Sequence, residues 1–282
     1  MSQNTFKSFA VLGAGTIGVP LVEELLANGA SVVVMTRPSS KHRSFPAGAK
    51  HVTVDFTDIP ALTAHFREHN VEVVVSAINQ EHLDVQLPSA EAAKSVGVKL
   101  YVASEYGLPS EGHKESLLAA KSEFIEYLRA MRLPYLRLYV GLFMEFIPEV
   151  LALEYNGRAN LTGKGDKGGS VTAISDAAGY LAYVLTHAPP GDLENRTFRI
   201  QGERMSLRDM AALYGEKVQV VHIPRFPDDL QGAWLKGYLQ SQFDAGSASV
   251  TYSALTDTDV QKLDNDLWPG HRWKTAKEDL GL

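Results

Sequence analysis

Gly13-Ala14-Gly15-Thr16-Ile17-Gly18 follows the apolar run Phe9-Ala10-Val11-Leu12 and opens a stretch with helical spacing over residues 19–28. A strand, a glycine turn and a helix in that order constrain the fold more than any other feature of the chain. The combination is the fingerprint of a dinucleotide-binding βαβ unit. Gly13 permits the tight turn, Gly15 lets a pyrophosphate approach the backbone, and Gly18 lets the helix pack against the strand. The helix N-terminus offers its N–H groups to phosphate oxygens, so Thr16 and Ile17 count with the glycines as cofactor-binding residues.

The next strand, residues 31–35, runs into Thr36-Arg37-Pro38-Ser39-Ser40-Lys41. A chain built for NAD usually carries an Asp or Glu at this strand end, which accepts hydrogen bonds from the ribose 2′-OH. Thr36 stands there instead, followed by Arg37, with Lys41 and Arg43 close behind. A carboxylate would repel a 2′-phosphate, whereas a guanidinium binds one in bidentate fashion. The expected cofactor is therefore NADP(H), with Thr36, Arg37 and Lys41 reading the phosphate.

Composition removes several classes of function. With no cysteine, the chain has neither disulfides nor thiol catalysis nor thiolate metal sites. A formal net charge of −6 argues against nucleic acid or a membrane surface as the main partner. Residues 1–9 lack the apolar core of a signal peptide, and no apolar run reaches membrane-spanning length. A cytoplasmic location is the expectation, and a homodimer is left open.

Strand-like and helix-like stretches alternate through the first half. Strands are expected at residues 50–54, 71–77, 99–103 and 135–140, and helices at residues 59–70, 81–96 and 116–131. Single helices between strands imply an α/β fold with a parallel, doubly wound (Rossmann) sheet. Beyond Phe146 the pattern weakens, which suggests a nucleotide-binding domain over residues 1–153 and a smaller substrate lobe over 154–282, some of it packing back on the first. The second half holds a β-prone stretch at 170–174, an amphipathic helix at 176–187, and Ser206 placed to cap the helix at 207–214.

In such sheets the ligand lies beyond the carboxyl ends of the strands. That rule adds Asp55, Phe56, Ser76 and Ala77 to the adenosine and phosphate end. It places Ser104, Glu105, Tyr106, Val140, Gly141 and Phe143 near the nicotinamide and the substrate. Many short-chain dehydrogenases pass a proton through a Tyr-x-x-x-Lys pair, but no tyrosine of this chain has a lysine four residues later. The titratable candidates on the relevant elements are Glu105, Tyr106 and Lys121. A partly buried lysine near a positive helix end or a cofactor has a lowered pKa and serves as a general acid or base.

The glycine turn, Thr36-Arg37, Ala103-Ser104-Glu105-Tyr106-Gly107, Lys121 and Leu133-Pro134-Tyr135 together resemble the isoflavone-reductase-like and NmrA-like branch of atypical short-chain dehydrogenases. That branch carries Pro-Ser-Glu-Phe-Gly after the fifth strand. It also has a lysine fourteen residues before the Tyr of a Gly-Ile/Val-Pro-Tyr turn, the spacing that separates Lys121 from Tyr135. Asp176-Ala177-Ala178-Gly179 resembles the family's Asp-Ile-Gly helix start, and Trp273-Lys274-Thr275 its C-terminal aromatic-Thr-Thr segment. Ala103 and Tyr106 depart from the family's Pro and Phe, and the Arg that often follows the lysine is missing.

The resemblance implies hydride transfer from NADPH to a small phenylpropanoid-, enone- or quinone-like aromatic substrate, with Lys121 as the catalytic residue. The branch's NmrA-like members imply the alternative of a catalytically silent regulator that senses NADP(H). Tyr106, Phe143, Met144, Phe146 and Trp234 are the candidates to line an aromatic pocket, with Tyr139 and Phe226 beside them. Ordinary core packing is the competing reading. His65-Phe66-Arg67-Glu68-His69 matches a His-x-x-Glu-His pattern, but its helix covers the flank of the sheet. It is read as a solvated helix face, and no metal centre is expected.

Overall fold

The computed structural model of the chain describes residues 5–40, 45–259 and 261–282. The chain begins with β1 (Ser8–Leu12), α1 (Gly18–Ala27), β2 (Ser31–Thr36), β3 (Lys50–Thr53), α2 (Ile59–Glu68) and β4 (Val73–Ser76). It continues through α3 (Gln86–Ser95), β5 (Leu100–Val102), α4 (Ser116–Ala130) and β6 (Tyr135–Tyr139). Next come β7 (Leu142–Phe143), α5 (Ile147–Val150), α6 (Leu153–Asn156), β8 (Ala159–Leu161), β9 (Gly169–Thr172), α7 (Ile174–His187), α8 (Pro190–Leu193) and β10 (Arg196–Arg199). The remainder is β11 (Glu203–Met205), α9 (Leu207–Ala212), β12 (Val220–His222), α10 (Ala233–Ala245), β13 (Tyr252–Ser253), β14 (Thr258–Asp259) and α11 (Ala276–Asp279).

Seven strands form one sheet in the order β10-β6-β5-β4-β1-β2-β3. From β6 to β3 every neighbouring pair is parallel. This is the expected Rossmann-like α/β architecture. Strand β4 is buried along its whole length, as its unbroken valine run requires when helices cover both faces. On α2, Leu62 and Phe66 lie four residues apart on one face and are fully buried, while the remaining residues are partly or fully exposed. The chain places β2 and β3 to one side of β1 and then crosses to put β4 on the other. The order therefore reverses at β1, and the turn after β1 opens at the switch point where doubly wound sheets bind ligands.

The expected helix over 81–96 is two pieces. A 3₁₀ segment, Gln80–Val85, precedes α3, and His82 leaves the helical region at φ −134°, ψ 31°. Pro88 has no N–H to donate, so it sits comfortably only in the first turn of a helix, and α3 starts two residues before it.

The chain divides into two compact units, each assembled from separate segments. The first comprises Met1–Glu105, His113–Leu138 and Ala177–Phe198; the second comprises Tyr106–Gly112, Tyr139–Asp176 and Arg199–Leu282. A single division at residue 153 is thus replaced by several crossings. The chain leaves the first unit at the end of β6 and returns with most of α7 and with β10, which becomes an edge strand of the large sheet.

The second unit has a three-stranded sheet, β11-β9-β7, with β7 parallel and β11 antiparallel to β9. Gly141 holds φ +73°, and a Cβ there would lie 2.1 Å from the Ser170 carbonyl oxygen, so only glycine lets the chain turn against β9. Ser206 caps α9 as expected, in a reciprocal capping box with Asp209. Gln240, fully buried on α10, accepts from the Thr162 N–H at 2.8 Å and donates to the Val150 and Asn160 carbonyls at 2.8 Å each.

A glycine cradle and a buried lysine in one unit

The glycine turn divides its labour among its members. Gly13 adopts φ +100°, and a Cβ on it would meet the Ala77 carbonyl oxygen at 2.8 Å. A Cβ on Gly18 would lie 2.3 Å from the Gly13 carbonyl oxygen and 3.3 Å from the Ala77 methyl. Both glycines are therefore fixed by the protein's own packing. Ala77, expected among the cofactor ligands, forms the wall behind the turn.

Gly15 differs, because a Cβ there would meet nothing within 4 Å. Its backbone borders open space at the start of α1. That helix has no side-chain cap and no acidic residue in its first turn. The positive end of the helix dipole is thus left for an anion, although Val19 and Leu21 already donate to the Gly15 and Ile17 carbonyls and Pro20 has no N–H; exposed Thr16 lies beside it and buried Ile17 anchors the turn. These features fit a dinucleotide pyrophosphate.

Thr36 ends β2 and is buried, and its hydroxyl is 2.8 Å from His51 Nε2 on the neighbouring β3. Phe45 stacks on the same imidazole at 4.3 Å. His51 is thus a neighbour of the expected phosphate-reading residues that sequence reasoning missed, since its place follows only from the β2–β3 register. Arg37 follows Thr36 and is half-buried, while Lys41 lies outside the described residues. Asp55 is exposed and accepts from both the N–H and the hydroxyl of Thr57, which hold its carboxyl below the usual range. The Phe56 ring is buried in the core, so only its backbone is left for a ligand.

At the carboxyl ends of β4 and β5, Ser76 is fully buried and Ser104 is tied into the fold. The Ser104 hydroxyl donates to the Ile78 carbonyl at 2.5 Å, and its N–H donates to Gln86 Oε1 at 2.9 Å. Gln86, buried at the start of α3, gave no sign in the sequence that it would reach the end of β5.

Two of the three titratable candidates meet here. Lys121, on α4, is half-buried, and its Nζ donates to the Glu105 carbonyl oxygen at 2.9 Å. Burial pushes the ammonium pKa down, and the nearby Glu105 carboxylate opposes that shift. Glu105 itself is 1% exposed. Lys121 therefore combines a fixed position with a weakened hold on its proton, the pair of properties that a proton-transfer group needs.

The other expected residues belong to the second unit. Tyr106 is half-buried. The Val140 carbonyl accepts from the Thr172 hydroxyl at 2.7 Å, and Gly141 packs on β9, so both serve the fold directly. Phe143 and Phe146 form an aromatic pair with ring centroids 6.2 Å apart. Met144 is fully buried, with a Cβ on Gly202 reaching within 2.8 Å of its methyl carbon. Tyr139 and Phe226 are likewise buried. Trp234 is 66% exposed and stacks on Tyr238 at 5.4 Å, a surface pair on α10.

Two of the resembling segments also meet. Buried Asp176 accepts from the Lys274 N–H at 2.8 Å and lies 3.1 Å from His271 Nε2. The sequence pointed to both segments but not to their pairing across 98 residues.

Comparison with known proteins agrees with this geometry. A family model described as NAD(P)H-binding matches residues 13–188. The chain is 28% identical over 290 residues to "Oxidoreductase BOA1" of Botryotinia fuckeliana (strain B05.10), covering 93% of this chain and 96% of that one. Among solved structures, the leucoanthocyanidin reductase–NADPH complex from Vitis vinifera superposes with a TM-score of 0.79 at 17% identity, covering 97% of this chain and 98% of the other. AtPrR2, solved with NADP+ and (+)-pinoresinol, gives a TM-score of 0.77 at 19% identity, covering 98% of each chain.

Proposed function

The chain belongs to the NAD(P)H-binding family, and on that premise we propose that it is a member of the isoflavone-reductase-like and NmrA-like branch and an NADPH-dependent reductase of a small aromatic substrate. The observation that carries this reading is Lys121, fixed by its bond to the Glu105 carbonyl and made readier to give up its proton by burial. It lies in the same compact unit as the glycine turn.

A bound dinucleotide would supply hydride chemistry, and the chain's own residues would hold it and manage the proton. The Gly15 backbone and the uncapped start of α1 hold the pyrophosphate. Arg37 binds the 2′-phosphate that distinguishes NADPH from NADH, and no carboxylate stands at the end of β2 to repel it. Lys121 Nζ delivers a proton to the substrate oxygen as negative charge develops there, and recovers one from solvent afterwards. Tyr106, Phe143 and Phe146 are the proposed contacts to the aromatic ring. An aromatic substrate is consistent with pinoresinol bound to AtPrR2.

The direct test incubates the protein with NADPH and a panel of aromatic enones, quinones and benzylic ethers while following nicotinamide absorbance. Consumption of NADPH with at least one class is expected. Tight NADPH binding with no turnover across the panel would favour the silent sensor instead. The cofactor assignment is tested separately: NADPH should bind more tightly than NADH, and Arg37→Asp should abolish or invert that preference. Equal affinity of the parent protein for the two would overturn it.

A further inference from the structure

The His-x-x-Glu-His stretch is read from sequence as a solvated helix face, and that reading leaves two observations unexplained. The Nδ1 atoms of His65 and His69 are both buried from solvent and have no hydrogen-bond partner, although each can donate or accept one. Buried polar atoms without partners are rare, and an ion is one of the few things that accounts for them. Two on one helical turn, flanking a carboxylate, narrow the choice.

Among the described residues, His65, Glu68 and His69 are the one group of His, Asp or Glu side chains whose potential donor atoms gather closely. One atom from each lies within 4.8 Å of the other two. His65 Nδ1 and Glu68 Oε2 are 3.4 Å apart. That matches the edge of a tetrahedron with metal–ligand bonds of about 2.0–2.1 Å, which is about 3.4 Å. The two imidazole rings are nearly parallel, with an interplanar angle of 10° and centroids 6.5 Å apart. Side-chain rotation suffices to close the remaining separations.

We propose that His65, Glu68 and His69 form a binding site for a zinc-class divalent cation at the last turn of α2. Two imidazoles and one carboxylate suit zinc and its neighbours nickel and copper, and disfavour magnesium and calcium, which take oxygen ligands. The place on the helix favours a cation as well. Glu68 is the last residue of α2 and His69 its C-cap, where the final carbonyls carry partial negative charge. The His69 carbonyl in turn accepts from the Ser8 hydroxyl at 3.0 Å, so a cation here braces the helix end against the start of β1. Lys50, whose charge acts on His69, works against the ion and keeps the affinity modest. The fourth coordination position is left to water.

The test uses tag-free full-length protein, stripped with EDTA and moved into chelator-free buffer. Calorimetric titration with zinc chloride should show saturable 1:1 binding, and magnesium chloride should show none. His65→Gln and His69→Gln should each weaken zinc binding by at least about ten-fold. Arg67→Ala, on the same helix but outside the ligand set, should bind as the parent does. Zinc at a large excess over its Kd should raise the melting temperature of the parent by a few degrees and leave both histidine variants unmoved. Melting curves without metal establish that the variants fold. The proposal fails if the parent takes up less than one equivalent. It also fails if both histidine variants bind zinc as tightly as the parent, which would assign the heat to other histidines of the chain.

Discussion

The two units of this protein hold their important residues by opposite means. In the first, the candidate pyrophosphate cradle is backbone: a turn whose glycines are fixed or left bare by neighbours in the turn itself and at the end of β4, and the uncapped start of α1. In the second, side chains reach backbone groups far along the chain, as Asp176 does to Lys274 across 98 residues and Gln240 to Val150 across 90. The first design puts much of its information into local sequence, although the Ala77 wall behind the turn comes from another strand. The second puts it into the tertiary structure, and only a folded chain reveals it.

Substitutions at five positions break or sharpen that contrast, in order of expected effect. The largest is Lys121→Ala, which tests whether one side chain in the backbone-built unit carries the chemistry. Turnover should fall by roughly 10²–10⁴-fold while NADPH affinity barely changes. Lys121→Arg should rescue poorly, because a guanidinium does not release its proton near neutrality. Steady-state rates and a separate cofactor titration measure both, and normal turnover by Lys121→Ala would remove the assigned role.

Next are two matched changes in the turn. Gly18→Ala drives a methyl into the Gly13 carbonyl and should cost about 3 kcal/mol of stability. Gly15→Ala meets nothing in the protein and should leave stability within about 0.5 kcal/mol, yet weaken NADPH binding about ten-fold or more. Urea midpoints and fluorescence titration with NADPH separate the two. Equal stability losses would mean that Gly15 is structural as well.

Asp176→Ala probes the second unit's design. It strands the part-buried Lys274 N–H and removes the His271 partner, so it should destabilise by about 1–2 kcal/mol. Asp176→Asn keeps an acceptor and should lose less. An unchanged urea midpoint in Asp176→Ala would show that the long-range bond contributes little.

The smallest expected effect concerns pH. Burial raises the Glu145 pKa above its ordinary 4.5, and the nearby Asp279 carboxylate adds to the shift. The fold thus favours the protonated form. The stability this group contributes is full below pH 4.5 and is lost as pH rises through its raised value. Glu145→Gln should flatten that part of the melting temperature profile as pH rises above 4.5. A parent-minus-variant difference that does not vary with pH would contradict the assignment.

What the sequence made legible follows the same division. The glycine turn, the alternation of strands and helices around it and Lys121 as a titratable candidate depend on short-range pattern, and the chain carries that pattern openly. The Ser206 cap of α9 was equally plain, since capping is a matter of four residues. His51 beside Thr36 and Gln86 beneath Ser104 were not, because each depends on which strand or loop lies next to which. Met144 shows the limit from the other side. An apolar residue after a strand end reads the same whether it faces a ligand or fills the core, and only the folded chain shows Met144 fully buried beside Gly202.

The edge position of β10 bears on how the chain is made. Translation delivers β1 through β6 in sequence, but the strand that covers β6 is not synthesised until residue 199. Until then the nascent polypeptide holds Tyr135-Leu136-Arg137-Leu138-Tyr139, a segment wholly buried in the finished protein, as the uncovered border of its sheet. Such borders pair readily with other chains. A ribosome stalled or a transcript cut between residues 140 and 195 should therefore yield a sticky fragment that chaperones bind. Adding residues 196–199, once they clear the exit tunnel, should release it.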